Sequence, residues 1–245
     1  MKKQIITGCS SYVTASWKSL FYPEKLPKSK WFEYYCEHFS TYEFNGSFYR
    51  FPSVENLLTW HDKTPSLFEF SIKVPKTITH IRKLDACEDE IREFYAVCLH
   101  GLKSKLACIL WQLPPSFSFT PERLRRLTEL LNPDFRNAVE FRHESWWNRA
   151  VTDTFKHNNI IFCNPSYPNL PHTAEVTSRI GYFRLHGIPE LFYSEYSEDE
   201  LSGLCRAIHK APYEKVYVYF NNTASVAAIK NALVFQNMLK DETIG

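Results

Sequence analysis

Six short apolar runs in this chain each end in a polar or ionisable residue: Thr41-Tyr42-Glu43-Phe44-Asn45, Phe68-Glu69-Phe70-Ser71-Ile72-Lys73, Ile109-Leu110-Trp111-Gln112, Ala138-Val139-Glu140-Phe141-Arg142, Tyr182-Phe183-Arg184-Leu185-His186 and Val216-Tyr217-Val218-Tyr219-Phe220-Asn221. A strand buried on both faces reads as an unbroken hydrophobic run, yet five of these six alternate. Side chains alternate along a strand, so Phe68, Phe70, Ile72 and Val74 share one face while Glu69, Ser71 and Lys73 share the other. That polar face looks into something wet or chemically occupied. A barrel of parallel strands reads this way when its active end is built from strand tips.

Strand-like and helix-like segments alternate from end to end. Strands are predicted over 5–8, 41–45, 68–74, 106–113, 137–142, 160–163, 181–187 and 215–221, and helices over 31–38, 53–62, 87–101, 120–131, 146–157, 198–209 and 225–239. Ser53 and Thr120 are the expected N-caps of their helices, Thr120 with Pro121 at the first helical position, and Asn132-Pro133 stops the second of these. The stretch 165–180 carries no helical pattern, and Asn164-Pro165 reads as the end of the sixth strand. Eight strands and seven helices in βα order predict an α/β chain forming one domain over 1–245. Its expected architecture is a small (β/α)8 TIM barrel with the sixth helix missing or irregular. A doubly wound open sheet is the other arrangement such alternation allows. Neither G-x-G-x-x-G nor G-x-x-x-x-G-K-[ST] follows the first strand, and Gly8-Cys9-Ser10-Ser11 is too short to replace them.

Composition narrows the setting. At 245 residues and 44% hydrophobic content the chain can bury a sizeable core, and 16% aromatic residues beside only 7 Gly make that core bulky. A formal charge of +2 from 29 basic and 27 acidic residues is too small to predict nucleic-acid or membrane binding from composition. Any preference for anions must be local. Seven cysteines without a C-x-x-C pair read as buried thiols of a reducing compartment. The amino terminus Met1-Lys2-Lys3-Gln4 meets only Ile5 and Ile6 before Thr7-Gly8, which is short of a signal peptide's apolar region. No stretch approaches the roughly 20 apolar residues of a membrane span. A cytoplasmic protein without membrane contact is expected.

In a TIM barrel the chemistry sits at the C-terminal ends of the strands. Ser10 and Tyr12 fall there, then Glu43, Asn45, Tyr49, Arg50, Lys73, Gln112, Glu140, Arg142, Asn164, Arg184, His186, Asn221 and Asn222. Glu43 with Asn45, Glu140 with Arg142, Arg184 with His186 and Tyr219 with Asn221 share a face by parity. Lys73, Arg142, Arg184 and Arg50 outnumber Glu43 and Glu140, so the expected guest is a small anion, since guanidinium forks and a lysine suit carboxylate or phosphate oxygens. Glu43, Lys73, Glu140 and His186 are the catalytic candidates. Asn45, Tyr49, Arg50, Gln112, Arg142, Asn164, Arg184 and Asn221 are the substrate-binding ones. The same charges paired among themselves would instead form a buried ion network. With no H-x-H, H-E-x-x-H or aspartate cluster, neither a metal nor a cofactor is expected. His80, in the loop after the third strand, reads either as a group closing over the site or as a surface histidine. Tyr12, Trp17, Phe48, Tyr49 and Tyr193 are placed to stack on a planar or sugar ring, or to pack a lid.

Several segments together carry a resemblance. They are Gly8-Cys9-Ser10-Ser11 with Trp17 and Phe21-Tyr22-Pro23, Tyr42-Glu43-Phe44-Asn45-Gly46-Ser47-Phe48-Tyr49-Arg50, Thr64-Pro65, Lys73 with Ile78-Thr79-His80, Gln112-Leu113-Pro114-Pro115, Glu140-Phe141-Arg142 with Ser145-Trp146, Arg184-Leu185-His186-Gly187, and Val218-Tyr219-Phe220-Asn221-Asn222. Over nearly the whole chain they resemble the YecE-like family, domain of unknown function 72. The resemblance implies a TIM barrel and no particular activity. Two positions depart from the family pattern: Ser11 stands where a second glycine is usual, and Asn164 where the sixth strand often ends in aspartate. On the residues themselves, two functions stay open. One is an enzyme of hydrolase or isomerase type acting on a phosphorylated or carboxylated small molecule. The other is a nucleic-acid or nucleotide binder, nuclease-like if catalytic.

Overall fold

Helices begin where a side-chain oxygen can take an amide that the first turn leaves without a carbonyl. Ser53 accepts from Asn56 N, Thr120 from Arg123 N and Asn148 from Val151 N, while Ser197 and Glu200 cap one another reciprocally. The computed structural model describes residues 3–241; Met1 and Lys2 of the polar amino terminus lie outside them, as do residues 242–245. The chain runs β1 (Gln4–Cys9), α1 (Trp31–His38), β2 (Thr41–Phe44), one-turn helix α2 (Gly46–Tyr49), α3 (Val54–Asp62), β3 (Glu69–Lys73), α4 (Glu88–Leu102), β4 (Leu106–Gln112), α5 (Pro121–Leu130), β5 (Asn137–Glu140), α6 (Arg149–His157), β6 (Ile161–Ser166), β7 (Ile180–Leu185), α7 (Glu198–Lys210), β8 (Lys215–Phe220) and α8 (Ala227–Asp241). The sheet order is β1-β8-β7-β6-β5-β4-β3-β2, with parallel pairing for β1–β8, β3–β4, β4–β5, β5–β6 and β7–β8. This is the (β/α)8 TIM-barrel fold that the alternation predicts.

No helix lies between β6 and β7 among the described residues. Pro168 and Pro171 remove amide donors there, and Thr177 ties the stretch back by donating to Ile160 O (2.7 Å) and accepting from Phe162 N (2.9 Å). Some boundaries differ from expectation. The stretch Glu144–Trp146 is a separate 3-10 turn, because the Asn148 cap starts α6 after it. β6 continues through Asn164 and Pro165 to Ser166, as a proline tolerates strand backbone where its missing N–H is not required. β5 stops at Glu140, which leaves Arg142 beyond its tip, and Asn45 and Asn221 also fall just past strand ends.

The packing forms two compact units. One comprises the chain through Glu43, Asn164–Pro168 and the residues from Arg179 onward; the other comprises Phe44–Cys163 and Asn169–Ser178. In the first, Tyr22 stacks on Trp31 with centroids 4.4 Å apart and planes at 8°. The Tyr35 hydroxyl joins β1 to β2, accepting from Cys9 N (2.8 Å) and donating to Thr41 O (3.0 Å). Gly8 makes that approach possible, since a Cβ there would lie 2.5 Å from Thr41 O and 3.1 Å from the Tyr35 hydroxyl. Gly8→Ala should therefore lower unfolding stability by about 1–3 kcal/mol, the usual range for overpacking, when measured by urea denaturation.

In the second unit, Phe141 stacks on Trp146 (4.1 Å, 5°), whose indole N–H donates to Phe117 O at 2.6 Å. Asn137 Oδ1 accepts from both Tyr95 Oη (2.6 Å) and Trp111 Nε1 (3.1 Å). Buried polar tips on these large rings thus keep their hydrogen bonds. All seven cysteines are thiols and six are buried. Burial pushes the Cys9 and Cys98 thiols well above the ordinary range, which leaves them poor nucleophiles. No helix is long and apolar enough to cross a membrane among the described residues.

Candidate functional site

Polar groups gather at the C-terminal ends of the strands in each unit. In the first unit, Tyr182, Arg184 and His186 lie two residues apart and so share a face along and beyond β7. Arg184 straddles Glu43: its Nε lies 3.1 and 2.9 Å from the two carboxylate oxygens, and Nη2 donates to Oε1 at 2.7 Å. Tyr182 Oη donates to Glu43 Oε2 at 2.7 Å. The side chains of Arg184 and Glu43 are 1% and 0% exposed. Arg184, expected to grip a ligand's anionic group, therefore grips a carboxylate of the chain itself. Buried His186 has Nε2 3.4 Å from Arg184 Nη1 and Nδ1 2.7 Å from the Asn221 amide, which also receives the Ser10 hydroxyl. Asn164 is buried on β6.

In the second unit, Lys73 at the tip of β3 donates from Nζ to Gln112 Oε1 at the tip of β4 (2.9 Å) and stands 3.9 Å over the Phe48 ring. An ammonium cannot accept a hydrogen bond, so the Gln112 oxygen must face it. The amide nitrogen then faces Leu113 O (2.9 Å) and His80 Nε2 (3.3 Å). That orientation makes Nε2 the acceptor and puts the imidazole proton on Nδ1, 2.9 Å from Thr79 Oγ1. His80 itself rides on a single turn of π-helix, Thr77–Ile81, and such turns recur at functional sites. Arg142 pairs through Nε with Glu140, and their side chains are 8% and 0% exposed. Cys163 Sγ lies 3.6 Å from Glu140 Oε2.

Desolvation and the nearby charges of Lys73 and Arg142 lower the His80 pKa from 6.5 to about 4, opposed by Glu140. The ring is therefore neutral at pH 7. Because the folded value is depressed, the unfolded chain takes this proton first. His80 thus lowers stability as pH falls from about 6.5 to about 4 and has no such effect above that window. An NMR titration should show the His80 ring titrating near pH 4, with Lys73→Met moving the midpoint upward. An ordinary midpoint in the wild type would contradict this.

The remaining candidates are placed differently. Tyr49 and Arg50 are exposed, Tyr49 at 74%, and Asn45 is half-buried. Tyr182, Ser47 and Phe48 belong to the polar clusters without having been expected there, except Phe48 as a stacking ring. Tyr182 was findable from its shared parity with Arg184. Ser47, whose hydroxyl donates to Lys73 O at 2.6 Å, sits in a turn with no period to betray it. No group of three or more His, Cys, Asp or Glu is placed to hold a metal ion among the described residues.

Parallel strands with charged and amide side chains at their C-terminal tips define a TIM-barrel protein. The chain belongs to the DUF72 family, described as a protein of unknown function, whose profile matches residues 6–244. It is 28% identical over 156 residues to UPF0759 protein YecE of Escherichia coli (strain K12), and that match covers 59% of this chain and 56% of the relative. The chain thus spans just over half the length of the curated relatives it matches. A DUF72 family protein from Thermotoga maritima MSB8 superposes with a TM-score of 0.85 at 28% identity, covering 97% of this chain and 99% of that one. One from Enterococcus faecalis V583 gives 0.81 at 22% identity, covering 97% and 96%, a likeness of fold alone.

Proposed function

We propose that this protein is an enzyme that takes a phosphorylated or carboxylated small molecule at the tips of β3 and β4 and performs proton-transfer chemistry of the hydrolase or isomerase kind. The observation that carries this reading is the setting of His80. It is a half-buried imidazole on a π-turn, facing the field of Lys73 and Arg142 and linked to Lys73 through Gln112. An anion held by Lys73 and Arg142 would cancel the part of the lowering that their charges cause, while the larger part due to burial stays, and so move His80 toward the range where imidazole exchanges protons near neutral pH. Gln112 orients Lys73 and fixes the tautomer of His80. Glu140, beside Arg142, is the second proton-transfer group. In the other unit, Arg184 and Glu43 have a positioning role, holding the face that carries His186. A reducing cytoplasm suits a chain with seven thiols.

A thermal-shift screen with phosphorylated and carboxylated metabolites tests the reading, because a ligand that binds only the native state raises its melting temperature. At least one such anion should stabilise the wild type and fail to stabilise Lys73→Met. If none does, while single-stranded DNA binds with steep salt dependence, a nucleic-acid binder replaces the small-molecule enzyme.

A further inference from the structure

We infer that the anion taken by this protein carries an aromatic ring that stacks on Tyr49; the inference rests on the anion site proposed at Lys73. A single exposed aromatic residue signals nothing by itself. Tyr49, 74% exposed, differs because the turn bearing it is fixed to the polar cluster. Ser47 in α2 donates to the Lys73 carbonyl at 2.6 Å and lies 3.0 Å from Phe44 O, while the Lys73 ammonium stands 3.9 Å over Phe48 from the same helix. Lys73 thus holds α2 by its backbone and its side chain together.

Phe48 in turn meets His80 edge-on (4.8 Å, 82°) and Tyr49 edge-on (5.1 Å, 90°). The result is a row of three rings leading from the polar cluster to an open aromatic face one ring away from Lys73. Lys76 Nζ stands over the Tyr49 ring, 5.9 Å from its centroid, which leaves the opposite face for a ligand and puts a second cation beside it, and Ile81, 67% exposed, follows His80 on the π-turn. A ligand with its anionic end at Lys73 and its ring over Tyr49 would lie along this row. A saturated ring packs only its C–H groups on Tyr49, whereas an aromatic ring adds the offset or edge-to-face attraction of two π-systems, so the surface favours aromatic anions over aliphatic or inorganic ones.

Isothermal titration with inorganic phosphate, cyclohexyl phosphate and phenyl phosphate tests the inference on wild type, Tyr49→Ala and Tyr49→Phe. The wild type should bind phenyl phosphate about tenfold tighter than cyclohexyl phosphate, a preference of the size expected for one stacked pair. The ratio should fall to near one in Tyr49→Ala and persist in Tyr49→Phe. A phenyl preference that is absent from the wild type, or that survives Tyr49→Ala, overturns the inference while inorganic phosphate binding leaves the anion site standing. If none of the three phosphates binds, the anion site fails and the ring site with it.

Discussion

Arg184→Ala should lower unfolding stability by about 3–5 kcal/mol, which in a chain of this size is a fall in Tm on the order of 10 °C. The guanidinium contacts both oxygens of Glu43, and the two side chains are 1% and 0% exposed. Truncation leaves that carboxylate in a low-dielectric interior without the cation that offset its desolvation. Arg184→Lys should recover little, because a point charge cannot reproduce a two-pronged fork. Glu43→Leu combined with Arg184→Met should recover most of the loss, since replacing a buried pair with apolar groups of similar volume is often near neutral. Urea denaturation of the singles and the double gives the coupling directly. A loss under about 1 kcal/mol for Arg184→Ala would be the behaviour of a solvent-exposed pair.

Lys73→Met should weaken binding of a phosphorylated ligand by about 10- to 100-fold, the range of a charge-assisted hydrogen bond worth roughly 1.5–3 kcal/mol. Methionine keeps an unbranched apolar stem against Phe48, so the change reports the ammonium more than the packing. Arg142 is the less clean probe. Its removal would strip the cation from a Glu140 side chain that is 0% exposed and confound affinity with stability. Titration calorimetry on Lys73→Met, alongside its urea midpoint, separates the two effects. Unchanged affinity in a stable variant would remove Lys73 from the binding role.

The fold was legible because its signals are periodic. Alternation through Phe68–Val74 and Tyr182–His186 marked strands, Ser53 and Thr120 marked helix starts that the structure caps as expected, and the missing sixth helix showed as a stretch with prolines and no period. The strand-tip residues followed from the same parity. Pairing was not legible, because parity gives a face and not a partner. Arg184 on Glu43 and Arg142 on Glu140 convert an apparent excess of cations into two buried ion pairs. The places of Ser47, His80 and Phe48 were less sharply legible for another reason, His80 reading either as a group closing over the site or as a surface histidine and Phe48 either as a stacking ring or as lid packing. They lie on a π-turn and a one-turn helix, where no repeat of two or 3.6 residues assigns a direction to a side chain.

Beyond the lowering that burial causes, the charges of Lys73 and Arg142 hold a positive field at His80, and a bound anion would relieve it. NMR titration of the His80 ring from about pH 3.5 to about pH 8, which brackets its ordinary and lowered pKa values, with and without sulfate, reads that field, because sulfate stays ionised throughout. The midpoint should lie near 4 without sulfate and move clearly upward with it, stopping short of the ordinary 6.5 because burial persists, and the movement should be absent in Lys73→Met. A midpoint that sulfate leaves in place would mean that no anion is held beside Lys73 and Arg142.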